Sequence, residues 1–319
     1  MQHAMLKPPF LALVALLLLA MLPSLGLPDY ATGVLVSAFV FTVAALSLNL
    51  IYGYLGLLSI AQVAFWGIGG YATAILVVDA GINFWLALPL AGLINMVVAL
   101  LVGYPALRLN RHSFVVVTLS FSLLVMLISR DWVELTRGPL GIPGLPAPEF
   151  LGQPIRSQTA YYYLCLVYAA LAIGALYLLC TSRIGLTLRS LKQSEALARS
   201  QGISPTPYKL LAFAVSALFT SMAGGIFVFK LTLVDPLIFD FYYMQAFLII
   251  VIVGGAGSFW PVVIAGLVMT FVPELLRISN ELRMVFFGVL LVAAMLFAPR
   301  GVGGWLRERS LRKLRSTLR

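Results

Sequence analysis

Side chains able to do acid–base, nucleophilic or metal chemistry are few in this sequence and badly spaced for it. The only histidines are His3 and His112, and the only cysteines, Cys165 and Cys180, lie in one apolar run. On a helix the two cysteines would stand about 22 Å apart, well beyond disulfide reach. These four residues make no Cys/His metal site. There is no GxxxxGKS/T phosphate-binding loop, no HExxH pair and no nucleophile–histidine–acid set. No catalytic residue, metal or cofactor is therefore expected on this chain. The ionisable residues Asp79, Arg130, Lys230, Glu274 and Arg277 all fall at expected ends of apolar runs. Transporters coupled to protons or sodium use ionisable groups inside the bilayer, so their absence argues against ion coupling. Hydrogen bonding remains as the available chemistry. Asn49, Ser59 and Gln62 are neutral polar groups embedded in an apolar stretch. At membrane depth Gln62 is a candidate for touching a solute, or equally for bonding across a helix interface.

The elements that position these groups follow from composition. Apolar residues make up 61% of the chain and charged residues 10%, with a mean hydropathy of +1.03. An ordinary soluble domain carries about 25% charged residues. A bilayer accommodates the excess apolar surface if each span supplies roughly 20 apolar residues. Spans are expected near 10–27, 30–52, 57–79, 84–104, 113–130, 160–180, 210–230, 242–254, 259–276 and 283–298. The fold class is all-α, a polytopic transmembrane bundle of about ten spans, occupying 1–298 and followed by a basic tail at 299–319.

Charge orients the bundle. If the amino terminus is cytoplasmic, the inside holds Lys7, Arg108, Arg111, Arg183, Arg189, Lys192, Arg199 and Lys209, and also the basic tail; together these are most of the 21 basic residues. That bias places both termini in the cytoplasm. It also explains the net charge of +10 without nucleic acid, as topology signals beside anionic headgroups.

Two loops and two glycine clusters stand out. Residues 131–159 face outside and carry four prolines and three glycines before Glu149. No helix is expected there; the loop either meets a soluble partner or is a connector. Residues 181–209 face inside. Leu188, Leu191, Glu195 and Ala198 recur at helical spacing, predicting one short amphipathic helix. Gly202 is placed to end it, and Pro205 and Pro207 to prevent its continuation. Such a helix either docks against a partner or lies in the headgroups. Gly53, Gly56, Gly67, Gly69 and Gly70 punctuate 48–76, and Gly254, Gly255 and Gly257 precede Pro261. Either cluster could bend or break its span, and the second could instead be a tight hairpin.

Four blocks, in order, resemble a known family. They are LNLIYGYLGLLSIAQVAFWGIGGY, FVVVTLSFSLLVMLISRDWVELTRGPLGIPG, SRIGLTLRSLKQSEALARSQGISPTPYKLLAFAVSALFTSMAGGIF, and VIVGGAGSFWPVVIAG with LFAPRG. The chain resembles the longer permease type of branched-chain amino acid ATP-binding-cassette importers. The GPLGIPG and SQGIS stretches favour this branch over sugar-type permeases. The resemblance implies a second permease subunit, two cytoplasmic ATP-binding subunits that hydrolyse ATP, a periplasmic solute-binding protein, and residence in the bacterial inner membrane. It also implies that the 181–209 loop couples to the ATPase, through Arg189, Lys192, Glu195, Ala196, Arg199 and Gly202. A translocation path is expected along Asn49, Ser59, Gln62, Thr118, Ser122 and Gln245. Many relatives read Gly-His where this chain has Ala61-Gln62, so no role resting on that histidine carries over. The coupling segment is also less acidic than usual. Similar permeases handle urea, short amides and aromatic acids, so the solute stays open. An ATP-independent secondary transporter is the more distant alternative.

Overall fold

The computed structural model describes residues 15–26, 28–150 and 152–275, with 285, 288–293, 296, 301, 303 and 304 towards the carboxy terminus. Lipid offers the backbone no hydrogen-bond partner, so an apolar chain satisfies its own amides, and helices do this segment by segment. Among the described residues, seven helices are long and apolar enough to cross a membrane. The first is α1 (Asp29–Asn49), continued by a π-helical turn, Leu50–Leu55. Next come α2 (Ala61–Val78), α3 (Phe84–Ala106) and α4 (Arg111–Asp131). A one-turn helix, α5 (Val133–Thr136), precedes α6 (Gln158–Thr181). The short helices α7 (Arg183–Gln193) and α8 (Glu195–Ser200) lead into α9 (Pro205–Leu231). The last crossing-length segment runs Pro236–Gly254, its α-helical part being α10 (Phe241–Gly254). Two shorter apolar helices flank this set, Ala15–Ser24 and α11 (Trp260–Leu275).

The expected spans from 30 to 276 each fall on one of these helices, and half of the span at 283–298 lies outside the described residues. The glycines at 67, 69 and 70 do not break α2; the interruption falls earlier, at Gly56, so α2 starts at Ala61 rather than near 57. Gly254 and Gly255 end α10, and residues 255–259 form a tight turn into α11 rather than a gap between half-helices.

α9 lies at the centre, packed on α1, α2 and α3. Its crossing with α2 depends on small residues. A side chain at Gly69 would overlap the Ser221 backbone, and one at Gly224 would overlap the Trp66 backbone, so the two helices meet nearly main chain to main chain. Around the crossing, Phe41, Trp66, Phe227, Tyr243 and Phe247 form a cluster of edge-on and tilted rings. α4 is the most peripheral of the crossing helices. Phe114, Thr118, Ser122 and Ser129 form its buried stripe, while Val116, Leu123, Leu124, Leu127 and Ile128 are exposed.

The loop at 131–159 departs from expectation in its first residues, which wind into α5 before the prolines begin. Arg137 then reverses the chain at φ 62. The strand Ile142–Pro143 (β1) pairs with Leu233–Val234 (β4), stapling this loop to the connection after α9. Glu149–Phe150 (β2) pairs with Gln153–Pro154 (β3). Arg137 reaches Asp79 at 2.9 Å across the carboxy-terminal end of α2, a half-exposed pair worth little in stability.

The 181–209 loop also differs: the single expected helix is two. Ser194 takes an extended conformation (φ −157, ψ 108), and its Oγ accepts the Leu197 amide 3.2 Å away. A serine hydroxyl satisfies an amide at a helix start better than it contributes to a helix interior, so the helix restarts there. Gly202 (φ 81) follows α8. Pro205 sits in the first turn of α9, where its missing N–H is harmless, so it opens the next helix five residues before the expected 210.

Candidate functional site

Three motifs far apart in sequence meet at one end of the bundle. The last carbonyls of any helix lack intrahelical partners. The run Asp29–Leu55 ends in wide π-helical winding, closed by a 3.2 Å bond from the Leu57 amide to the Ile51 carbonyl, with Gly56 in the left-handed region at φ 80. Lys192, from α7, donates its Nζ to the Gly53 carbonyl at 2.7 Å. A cation at the negative end of a helix is favourable on both hydrogen-bonding and dipole grounds. Arg189, one turn earlier on α7, places its guanidinium 4.6 Å from the ring centre of buried Tyr54. The third motif is the 255–258 turn. Asn49 donates to the Ser258 carbonyl (3.0 Å) and accepts the Gly257 amide (2.9 Å). Gly257, at φ 90, brings its backbone so close that a Cβ there would lie 2.8 Å from the Gly53 oxygen.

Lys192 sits in a demanding place. Burial first, and then the Arg111 and Arg189 guanidiniums, hold its ammonium below the usual lysine range. The Arg111 guanidinium also reaches the Lys192 carbonyl at 3.4 Å, tying α4 to the same corner. The second inner helix is anchored differently. Glu195 accepts from Arg199 (2.8 Å) and from Lys209 at the start of α9 (2.6 Å). Burial would raise the Glu195 carboxyl, but the Lys209 and Arg199 hydrogen bonds overcome it and hold the group below the usual carboxylate range. Of the expected coupling residues, Arg189, Lys192, Glu195 and Arg199 therefore make contacts within this chain. Ala196, Arg199 and Gly202 are exposed. Leu197, which the sequence reading did not single out, is 61% exposed on α8.

The expected path residues divide into groups. Ser59, Gln62, Thr118 and Ser122 converge on the start of α2. Thr118 accepts the Ile60 amide (3.1 Å) and Ser122 donates to the Ile60 carbonyl (3.0 Å), so hydroxyls one turn apart on α4 satisfy both polar groups of the residue preceding α2. Gln62 donates to Ser216 and Thr220 on α9, each at 2.7 Å, and Ser216 in turn donates to the Ser47 carbonyl at 2.7 Å. Asn49 belongs instead to the corner around Lys192. Gln245 stands apart on α10. All but Gln245 are buried within this one chain. The Gln62 Oε1, Ser59 Oγ and Gln245 Oε1 find no hydrogen-bond partner among the described residues.

The sequence reading missed Ser216, Thr220, Ser47 and Asn95. The four-residue spacing of Ser216 and Thr220 was a readable sign of one hydroxyl-bearing face. Asn95, whose amide donates to the Phe65 carbonyl at 2.8 Å, is a lone polar residue in mid-span. Gly53 as an acceptor had no signal, because the interacting atom is backbone.

The described residues form a multi-pass helical bundle whose polar groups are bonded internally, with two short helices between α6 and α9. The family model described as the branched-chain amino acid transport system permease component matches residues 30–295. The chain belongs to that family and is a permease component. It is 32% identical over 319 residues to the high-affinity branched-chain amino acid transport system permease protein LivM of Salmonella typhimurium, covering 92% of this chain and 74% of LivM. LivM of Escherichia coli matches at 32% over 320 residues with the same coverage. The ribose import permease protein RbsC of Escherichia coli is 27% identical over 154 residues, 46% of this chain and 47% of RbsC. No solved structure matches significantly.

Proposed function

We propose that this permease forms half of the translocation pathway of an ATP-binding-cassette importer in the bacterial inner membrane. Its solute is a branched-chain amino acid or a related small polar molecule. A second permease subunit completes the pathway, two cytoplasmic subunits bind and hydrolyse ATP, and a periplasmic protein delivers solute to the face bearing the 131–159 loop. The chain crosses about ten times with both termini in the cytoplasm, the shorter helices Ala15–Ser24 and α11 and the expected segment at 283–298 completing the count.

The observation that carries this reading is the inner helix pair. α7 is held against the membrane helices by Arg189 and Lys192, while α8 leaves Ala196, Leu197 and Arg199 exposed. We assign the first two, with Glu195, to holding the loop in place. Ala196, Leu197 and Arg199 make the contact with the ATPase, and Gly202 ends the helix that presents them. Along the pathway, Asn49, Ser59, Gln62, Thr118, Ser122 and Gln245 are the neutral groups offered to solute. Five of these are closed off within the chain in this conformation, so solute reaches Ser59, Gln62, Thr118 and Ser122 when α2 parts from α4 or α9, and Asn49 when the 255–258 turn moves away.

The test is reconstitution of all subunits in proteoliposomes with labelled leucine. Uptake that requires ATP and the solute-binding protein is expected. ATP-dependent uptake of labelled urea, short amides or aromatic acids, but not of leucine, would move the solute assignment within the family. Uptake by this chain alone without ATP would overturn the importer reading. Leu197→Asp is expected to release the ATPase subunits from the purified complex.

A further inference from the structure

We infer that Lys192 is a positioning residue that makes the end of the first long membrane helix move with the cytoplasmic helix pair. This rests on the permease reading above and goes beyond it, because it concerns how displacement enters the membrane after the ATPase has docked. Lys192 Nζ bonds the Gly53 carbonyl at 2.7 Å, and its aliphatic stem crosses Gly56, where an added Cβ would lie 2.9 Å from Lys192 Cγ. The side chain thus lies over the π-helical turn instead of touching it only at its tip. The same turn is bonded to the 255–258 loop through both amide atoms of Asn49. That loop joins α10 to α11. The ammonium therefore links α7 to the end of the first long helix, and Asn49 ties that end to the turn between α10 and α11. Winding of this wide kind inside a helical run is a frequent site of local adjustment, and the turn here has two glycines to absorb it.

The geometry also separates two attachments. Ser194 divides α7 from α8, and Glu195 connects α8 to α9 through Lys209 at 2.6 Å. α9 carries Ser216 and Thr220, the partners of Gln62. Motion of the pair consequently reaches α1 through Lys192 and α2 through the Glu195–Lys209 contact with α9.

The readout is the ratio of solute imported to ATP hydrolysed by the fully reconstituted importer. Removing a residue that only supports the fold lowers both together and leaves the ratio unchanged. Lys192→Met keeps the stem and removes the cation, and the ratio should fall by about tenfold, the scale expected for a lost charged hydrogen bond. Lys192→Arg should restore it. A second measurement uses the unmodified complex, comparing hydrogen exchange without nucleotide and with a non-hydrolysable ATP analogue. Peptides covering 53–57, 183–193 and 255–258 should change protection together. An unchanged ratio in Lys192→Met, or nucleotide-dependent change at 183–193 without change at 53–57, would overturn the inference. Absence of ATP-dependent uptake by the unmodified complex would instead refute the permease reading.

Discussion

Gln62 illustrates how a polar side chain at membrane depth is made tolerable. Its two amide hydrogens are used on Ser216 and Thr220, so it joins α2 to α9 as well as offering a carbonyl oxygen. Losing one partner of a buried hydrogen bond costs about 1–3 kcal/mol. Gln62→Ala should therefore lower the melting temperature of the purified protein by that scale of destabilisation, more than Gln245→Ala, whose side chain is only partly buried. Equal effects would show that the bonds to α9 contribute nothing. The polar character of Gln62 was legible in the sequence. Its partners were not, because they lie 154 and 158 residues away, and local spacing says nothing about contacts across such distances.

At the scale of elements, the inner helix pair owes its shape to Ser194. Ser194→Ala removes the oxygen that accepts the Leu197 amide, and loss of such a cap typically costs about 1 kcal/mol. Faster hydrogen exchange at Leu197 is expected, with α7 unaffected. Acid should act on the same helix through Glu195. Its carboxyl is held below the ordinary value of 4.5 in the folded state, so the contribution is complete above that value. It is lost as pH falls through the lowered one. The group is partly exposed, so the effect is local. Exchange at 196–200, corrected for intrinsic rates, should rise as pH falls through the lowered value, and Glu195→Gln should abolish that pH dependence. Persistence of the pH effect in Glu195→Gln would assign it to another group. The amphipathic stripe announced a helix here; the break did not stand out, since serine also occurs within helices.

Across the whole molecule, the crossing of α2 and α9 organises the bundle. Gly224→Leu would force the helices apart at the Trp66 backbone, and overpacking of this kind typically costs 1–3 kcal/mol or more. Poor recovery of monodisperse protein is expected, whereas Gly174→Leu, where nothing lies within 4 Å, should be tolerated. The orientation inferred from charge is a property of the same scale. With both native cysteines replaced by serine, Glu149→Cys should react with an impermeant thiol reagent from outside intact cells. Ala196→Cys should react only after the membrane is opened. The reverse pattern would invert the topology and detach the inner loop from the ATPase.

The sequence by itself determined the helical class, the positions of the membrane-crossing runs and the places where they stop. An apolar stretch in lipid has almost no alternative to a helix, and glycine and proline limit it locally. The charge bias also assigns the 181–209 loop to the cytoplasmic side as an expectation, which the thiol-labelling experiment tests. Only the tertiary structure decided that Asn49, Gly53, Lys192 and Gly257 form one corner, and that Gln62 faces α9. Those contacts depend on how helices cross, on backbone atoms that every residue shares, and on the small residues that let main chains approach. Asn49, Gln62, Thr118 and Ser122 thus serve as internal joints between helices.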